Sequence, residues 1–150
     1  MTEKNVVFTI DDFKTSVVPL IDEGLTVPLT VTGGSMTPYL AGGRDTVMIS
    51  KPRFPLKVGD IALFERRSGQ IVMHRVKKRS PEGYFFIGDA QTVVEGPVPE
   101  ERVFGVVDRV IRKGKIEERG SVTWSFFRRI WIRIVPLRPL CMKLYRLFKK

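Results

Sequence analysis

The chain has 150 residues, 43% of them hydrophobic and 28% charged, so it can bury one core but is too short for two ordinary domains. Its formal net charge of +10 is unevenly spread: residues 1 to 118 carry a net +1, whereas residues 119 to 150 carry nine basic residues and no acid. Because Cys141 is the only cysteine, an intrachain disulfide and a cysteine-built metal cage are excluded, and a reducing compartment is indicated.

Residues 1 to 25 form a first segment, which predicts a short helix over residues 10 to 23. Apolar residues recur there at helical spacing, and Gly24 follows where the helix would end. Pro19 lies inside this pattern and removes one helical hydrogen bond. Charges interrupt the segment before an apolar run reaches signal-peptide length, and no stretch approaches the roughly 18 apolar residues of a spanning helix. We therefore expect a cytoplasmic protein without a transmembrane segment.

Residues 26 to 118 differ from the first segment, because they consist of short runs rich in β-branched residues that are separated by glycine and proline. Six candidate strands are each flanked by turn residues, and they cover residues 27 to 32, 45 to 50, 60 to 65, 70 to 77, 83 to 88 and 103 to 111. Many short strands at this spacing are typical of a small β-barrel or sandwich. The sequence thus predicts a mainly β domain between two helical segments.

Residues 119 to 150, here called the tail, read as two basic amphipathic helices. The first has one apolar face, formed by Phe127, Ile130, Trp131, Ile134 and Val135. Pro136 and Pro139 are expected to break the chain before the second. Three interpretations remain open: the tail binds an anionic membrane surface, packs on its own domain, or binds nucleic acid. Its many large apolar residues favour a membrane over nucleic acid.

Ser35 follows two glycines, Gly33 and Gly34, directly after a predicted strand. Glycine lets the backbone turn sharply and approach a substrate, and it leaves N–H groups free to face a developing oxyanion. A serine hydroxyl is a weak nucleophile unless a base lies beside it. Ser35 is therefore either an ordinary turn serine or a nucleophile whose base lies elsewhere in the chain.

The only histidine, His74, lies in a stretch that alternates as a strand does. Alternation places it on the same face as Val72 and Val76. The opposite face receives Met73, Arg75 and Lys77. His74 is either a packing residue or a general base, for which its ordinary pKa near ~6.5 is suited. Asp89, at a glycine turn that ends a strand, is either a turn cap or the acid that supports the base.

Five successive boxes resemble those of the signal peptidase I superfamily, in the endoplasmic-reticulum and archaeal type that is related to repressor autopeptidases. They are GGSMTPYL, KVGDIALF, IVMHRV, IGDAQ and VFGVVDRVI, within residues 30 to 112. The resemblance implies a small, coiled, antiparallel, β-barrel-like peptidase fold with Ser35 as nucleophile, His74 as base and Asp89 as acid. It also implies a serine endopeptidase that cleaves an extended leader or signal-like peptide without metal or organic cofactor.

The chain departs from that family in three ways, one of which is that Ala41-Gly42 follows Ser35, whereas the Ala-Gly bond cut by repressor autopeptidases precedes their serine, so self-cleavage in that style is not expected. We expect no N-terminal membrane anchor of the kind that this family carries, and at most peripheral attachment to the inner membrane surface through the tail. The acid nearest downstream of the Gly-Asp box is Glu95, so a second acid beside Asp89 stays open. Lysine-type relatives carry their base on the same strand, but Lys77 would point away from His74, which favours a Ser-His pair. The alternative function is a non-catalytic peptide-binding module held at a membrane or on nucleic acid.

Overall fold

The computed structural model describes residues 13 to 148 and contains eight strands. The strands are β1 (Val27–Thr30), β2 (Thr46–Ser50), β3 (Ile61–Glu65), β4 (Ile71–Ser80), β5 (Gly83–Ile87), β6 (Glu95–Val98), β7 (Val103–Arg112) and β8 (Lys115–Glu118). All six strands expected from the sequence are present, each within a few residues of its expected bounds. The sequence did not predict β6 and β8.

The strands form one antiparallel sheet in the order β1-β2-β7-β3-β4-β5-β6, with β8 paired to β7. The mainly β, antiparallel expectation is confirmed, but the barrel-like closure is wrong because the two end strands do not pair with each other. Both end strands contain a proline, Pro28 in β1 and Pro97 in β6. Proline has no N–H to donate to a neighbouring strand, so these edges are poor partners for closure.

Two clusters of buried hydrophobic residues lie on opposite faces of β3. Ile61 and Leu63 belong to the first core, whereas Ala62 and Phe64 belong to the second. This division follows from the period of two along a strand. The other members of the first core include Phe13, Val17, Ile21, Met36, Tyr39, Leu40, Trp124, Phe127, Trp131 and Met142. The second core also contains Leu56, Val76, Tyr84, Phe86, Val98, Val103 and Val106.

The N-terminal segment is helical, as expected from the sequence. A π-helical turn (Phe13–Val17) leads into α1 (Val18–Asp22), and residues 10 to 12 of the expected helix lie outside the described residues. Pro19 stands in the first turn of α1, a position at which a helix tolerates proline. Ile21 is fully buried, so α1 is held against the first core by its apolar side.

The tail forms α2 (Val122–Arg129), two single turns of 3-10 helix (Trp131–Arg133 and Val135–Leu137) and α3 (Arg138–Phe148). Ser121 caps α2, since its hydroxyl oxygen accepts a hydrogen bond from the Trp124 N–H at 3.2 Å. Pro139 is the second residue of α3 and does not interrupt the helix, because it occupies the first turn. Within residues 13 to 148, no helix is long and apolar enough to cross a membrane.

Part of the apolar face expected on the first tail helix points inward. Phe127 and Trp131 are 7% and 4% exposed and belong to the first core. The tail therefore packs on the β domain, which is one of the three interpretations left open by the sequence. These two aromatic residues cannot supply the membrane-facing side that the sequence pattern indicated.

Candidate active site

Ser35 lies half-buried in the turn that follows β1, against the Gly88-Asp89-Ala90 turn that follows β5. The Ala90 N–H donates a hydrogen bond to the Ser35 carbonyl oxygen at 2.9 Å. A Cβ atom on Gly88 would come within 2.6 Å of that same oxygen, so only glycine allows the two turns to meet. The fold thus brings the Ser35 and Asp89 boxes together through their backbones. Among residues 13 to 148, it forms no hydrogen bond between the side chains of Ser35 and His74.

His74 lies on β4 and is 2% exposed. It pairs across the sheet with Ala62, and its ring centre is 6.0 Å from that of Phe64, so it faces the second core. The expected alternation is confirmed: Val76 is buried in the same core, with Val72 packed against it. Met73 packs on the first core, on the other side of the sheet.

Glu95, the first residue of β6, supplies the carboxylate beside the imidazole. Its Oε1 lies 3.1 Å from His74 Nδ1. The contact is bent, since Nδ1 has no well-aligned hydrogen bond in the structure. Arg66 donates a hydrogen bond to each oxygen of the same carboxylate, from Nε to Oε2 at 2.9 Å and from Nη2 to Oε1 at 2.8 Å. The Gln70 side-chain oxygen accepts from Arg66 Nη1 at 2.8 Å, which completes a row of four polar side chains ending at His74.

The charges in this row favour a neutral imidazole beside an ionised carboxylate. Burial lowers the pKa of His74 below its ordinary value, Glu95 partly opposes that effect, and the Arg66 charge adds to it. Burial alone would raise the pKa of Glu95, but the hydrogen bonds and charge of Arg66 outweigh it and hold the pKa below the usual range. With a carboxylate at Nδ1, the proton is expected there, which leaves the Nε2 lone pair able to accept one.

Asp89 has a different partner from the one the sequence suggested. Its two oxygens accept from Arg75 Nε and Nη2, each at 2.8 Å, and both side chains are fully buried. Arg75 follows His74 in β4, so the two side chains point to opposite faces of the sheet. An acid that binds Arg75 therefore lies on the face away from the imidazole. The direct contact expected for Asp89 belongs to Glu95, and the charge of Asp89 acts on His74 through space, raising its pKa as a smaller effect.

The contacts of the Asp89 turn indicate a positioning role. The indole Nε1 of Trp131 donates to the Asp89 carbonyl oxygen at 2.8 Å. Buried Arg138 donates through Nη1 to the carbonyl oxygens of Gly88 and Gln91, both at 2.9 Å. Because the same turn holds the Ser35 carbonyl, the tail fixes the loop on which the candidate nucleophile rests.

Lys77, the lysine closest to His74 along β4, lies on the opposite side of the sheet as expected. Its Nζ donates to the Ile132 carbonyl oxygen at 2.6 Å in the tail. Burial, together with the charges of Arg138 and Arg133, lowers its pKa. The side chain is thus engaged with the tail, away from the second core that His74 faces.

No family model, no curated protein and no solved structure matches this chain, so the resemblance to signal peptidases stays a prediction. Among residues 13 to 148, no group of three or more His, Cys, Asp or Glu side chains is arranged to hold a metal ion.

Proposed function

We propose that the protein is a serine endopeptidase in which Ser35 is the nucleophile and His74 its general base. One observation carries this proposal: the only imidazole of the chain is buried, has a lowered pKa and lies against an ionised carboxylate. This environment prepares a base for neutral pH and balances the positive charge that the imidazole gains.

In this mechanism, Ser35 Oγ attacks the peptide carbonyl carbon while His74 Nε2 takes the hydroxyl proton. The negative charge on the carbonyl oxygen is received by backbone N–H groups of the glycine-rich turn, including that of Ser35. His74 then gives its proton to the leaving amine, and an ester forms on Ser35. A water molecule, deprotonated by His74, hydrolyses this ester and restores the serine. Glu95 stabilises the imidazolium in both steps.

The strand that carries Glu95 also supports an extended peptide as substrate. β6 is an end strand of the sheet, and Glu95 is its first residue. Pro97 has no N–H, but the carbonyl groups of this edge and its remaining N–H groups can hydrogen-bond the main chain of a peptide, so that a scissile bond is presented in extended form. The proposed substrate is accordingly an unfolded segment, such as a leader or signal-like peptide.

The second candidate is a non-catalytic peptide-binding module with the same strand edge. It is favoured by the 2% exposure of His74, which a packing residue would also show. In this case the row from Gln70 to His74 stabilises the sheet and performs no chemistry.

A fluorophosphonate reagent, which forms a covalent bond with activated serines, separates the two candidates. The full chain is incubated with the reagent, digested and mapped by mass spectrometry. We expect the label on Ser35, lost in both Ser35→Ala and His74→Ala. The control variant Ser80→Ala removes a serine at the β4–β5 turn and should label as wild type does. A folded protein whose Ser35 stays unlabelled would exclude the peptidase and favour the binding module.

A further inference from the structure

The outward side of α3 carries a row of exposed leucines. Leu140, Leu144 and Leu147 are 58%, 47% and 63% exposed and follow each other at spacings of four and three residues, so they lie on one side of the helix. Leu137 just before the helix and Phe148 at its end are also exposed. We call these five residues the leucine stripe. An exposed apolar strip of this length marks an interaction surface.

The orientation of α3 is fixed by its inner side. Met142 and Arg138 are buried, Met142 in the first core and Arg138 against the Gly88 turn. Rotation of the helix to hide the leucine stripe would therefore expose Met142 and break the hydrogen bonds of Arg138. The stripe consequently stays on the surface while the tail is docked.

The charged residues of the tail that carries the leucine stripe are all basic. Lys143 and Arg146 lie on the exposed side of α3, and Arg129 and Arg133 are exposed in the preceding turns. No acidic residue occurs after Glu118 in the whole chain. A second copy of the chain docking through this surface would bring like charges together, which opposes self-association. An apolar strip with basic neighbours matches the chemistry of an anionic lipid surface.

We propose that the leucine stripe docks the protein on anionic membranes, with α3 lying in the plane of the interface. The leucines enter the boundary between headgroups and acyl chains, while Lys143 and Arg146 remain at headgroup level. This inference is independent of the peptidase proposal, because the stripe shares no residue with the row that ends at His74. It also replaces the inward-facing aromatic residues as the membrane-facing part of the tail.

Vesicle flotation of the full chain tests the proposal, with vesicles of pure phosphatidylcholine and of phosphatidylcholine mixed with phosphatidylglycerol. We expect wild type to float with the anionic vesicles only. Leu144→Glu should lower the bound fraction at least about tenfold with an unchanged melting temperature, since its side chain is half exposed. Ile116→Glu is the matched control, because it places the same charge at a 65% exposed apolar position on β8 and should bind as wild type does.

The charge component is tested by Lys143→Gln and Arg146→Gln at low salt. Each should weaken partitioning about fivefold, as expected for a basic residue near an anionic surface. Equal binding to neutral and anionic vesicles, no binding to either, or wild-type binding by Leu144→Glu would overturn the proposal. Concentration-dependent oligomers that disappear in Leu144→Glu, without vesicle binding, would also overturn it and assign the stripe to a second copy of the chain.

Discussion

Asp89→Asn should destabilise the fold far more than Glu95→Gln, although each change removes one carboxylate charge. Asp89 and its partner Arg75 are both fully buried and joined by two 2.8 Å hydrogen bonds, so the variant leaves a buried guanidinium uncompensated. Breaking such a pair costs about 3 to 5 kcal/mol. At about 2 to 4 °C per kcal/mol for a chain of this size, the melting temperature should fall by about 6 to 20 °C.

Glu95 and Arg66 are about one-third exposed, so their pair is screened by water and its loss should cost about 1 kcal/mol or less. Thermal unfolding followed by circular dichroism measures both variants against wild type. The double variant Arg75→Met/Asp89→Leu removes both buried charges and should regain part of the stability that Asp89→Asn loses. The reasoning is refuted if Asp89→Asn melts within about 2 °C of wild type and loses Ser35 labelling, because Asp89 would then act in catalysis and not in folding.

Three further outcomes are expected. Glu95→Gln should lower the pKa of His74, because it removes a neighbouring negative charge, and Arg66→Gln should raise that pKa, because it removes a positive one. NMR titrations of the two variants measure both shifts, and shifts of the same sign would contradict this prediction. Trp131→Ala should lower the free energy of unfolding, measured in urea, by about 3 to 5 kcal/mol. Trp131→Phe should lower it by about 1 to 3 kcal/mol, because it keeps most of the ring packing but leaves the Asp89 carbonyl oxygen without its donor. A loss below about 1 kcal/mol for Trp131→Ala would show that the tail is not docked. The free energy of unfolding should fall as the pH drops below about 6.5, because the folded state lowers the pKa of His74 and the unfolded chain therefore takes up the proton first. His74→Gln should flatten this part of the plot of stability against pH.

The strands that the sequence predicted are those with local signals. Residues 71 to 77 alternate and lie between glycine turns, so both β4 and the face of His74 could be read from the chain. β6 contains Gly96 and Pro97 within four residues, and β8 has charged residues at three of its four positions. β6 forms by pairing with β5, and β8 by pairing with β7. The β-propensity of a strand's own residues carries no information about such partners.

The candidate site was predictable only in part. Ser35 and His74 stand in short boxes that could be recognised separately, whereas the contact of His74 with Glu95 joins residues in different strands. Arg66, which holds Glu95, is 29 residues away from it along the chain and belongs to no box. The alternation of β4 placed Arg75 opposite His74, but only the fold shows that Asp89 pairs with Arg75.

The tail shows the same limit, because α3 has apolar residues on two sides. Met142 faces the first core while Leu144 faces outward, and a helical pattern alone does not distinguish them. Which side is buried is decided by the hydrogen bonds of Arg138 to the Gly88 turn, which are long-range contacts.

The measurement that tests the central claim most directly compares the titration of His74 with the reactivity of Ser35. As the only histidine, His74 gives a single imidazole Cε1–Hε1 signal in a proton–carbon NMR spectrum, so its ionisation can be followed without a substrate. The rate of fluorophosphonate labelling at Ser35 should rise with pH along the same curve, with a midpoint below the ordinary value of about 6.5, and Glu95→Gln should move both curves together to lower pH. A labelling rate that rises only in the alkaline range, independent of the imidazole titration, would contradict His74 as the base of Ser35.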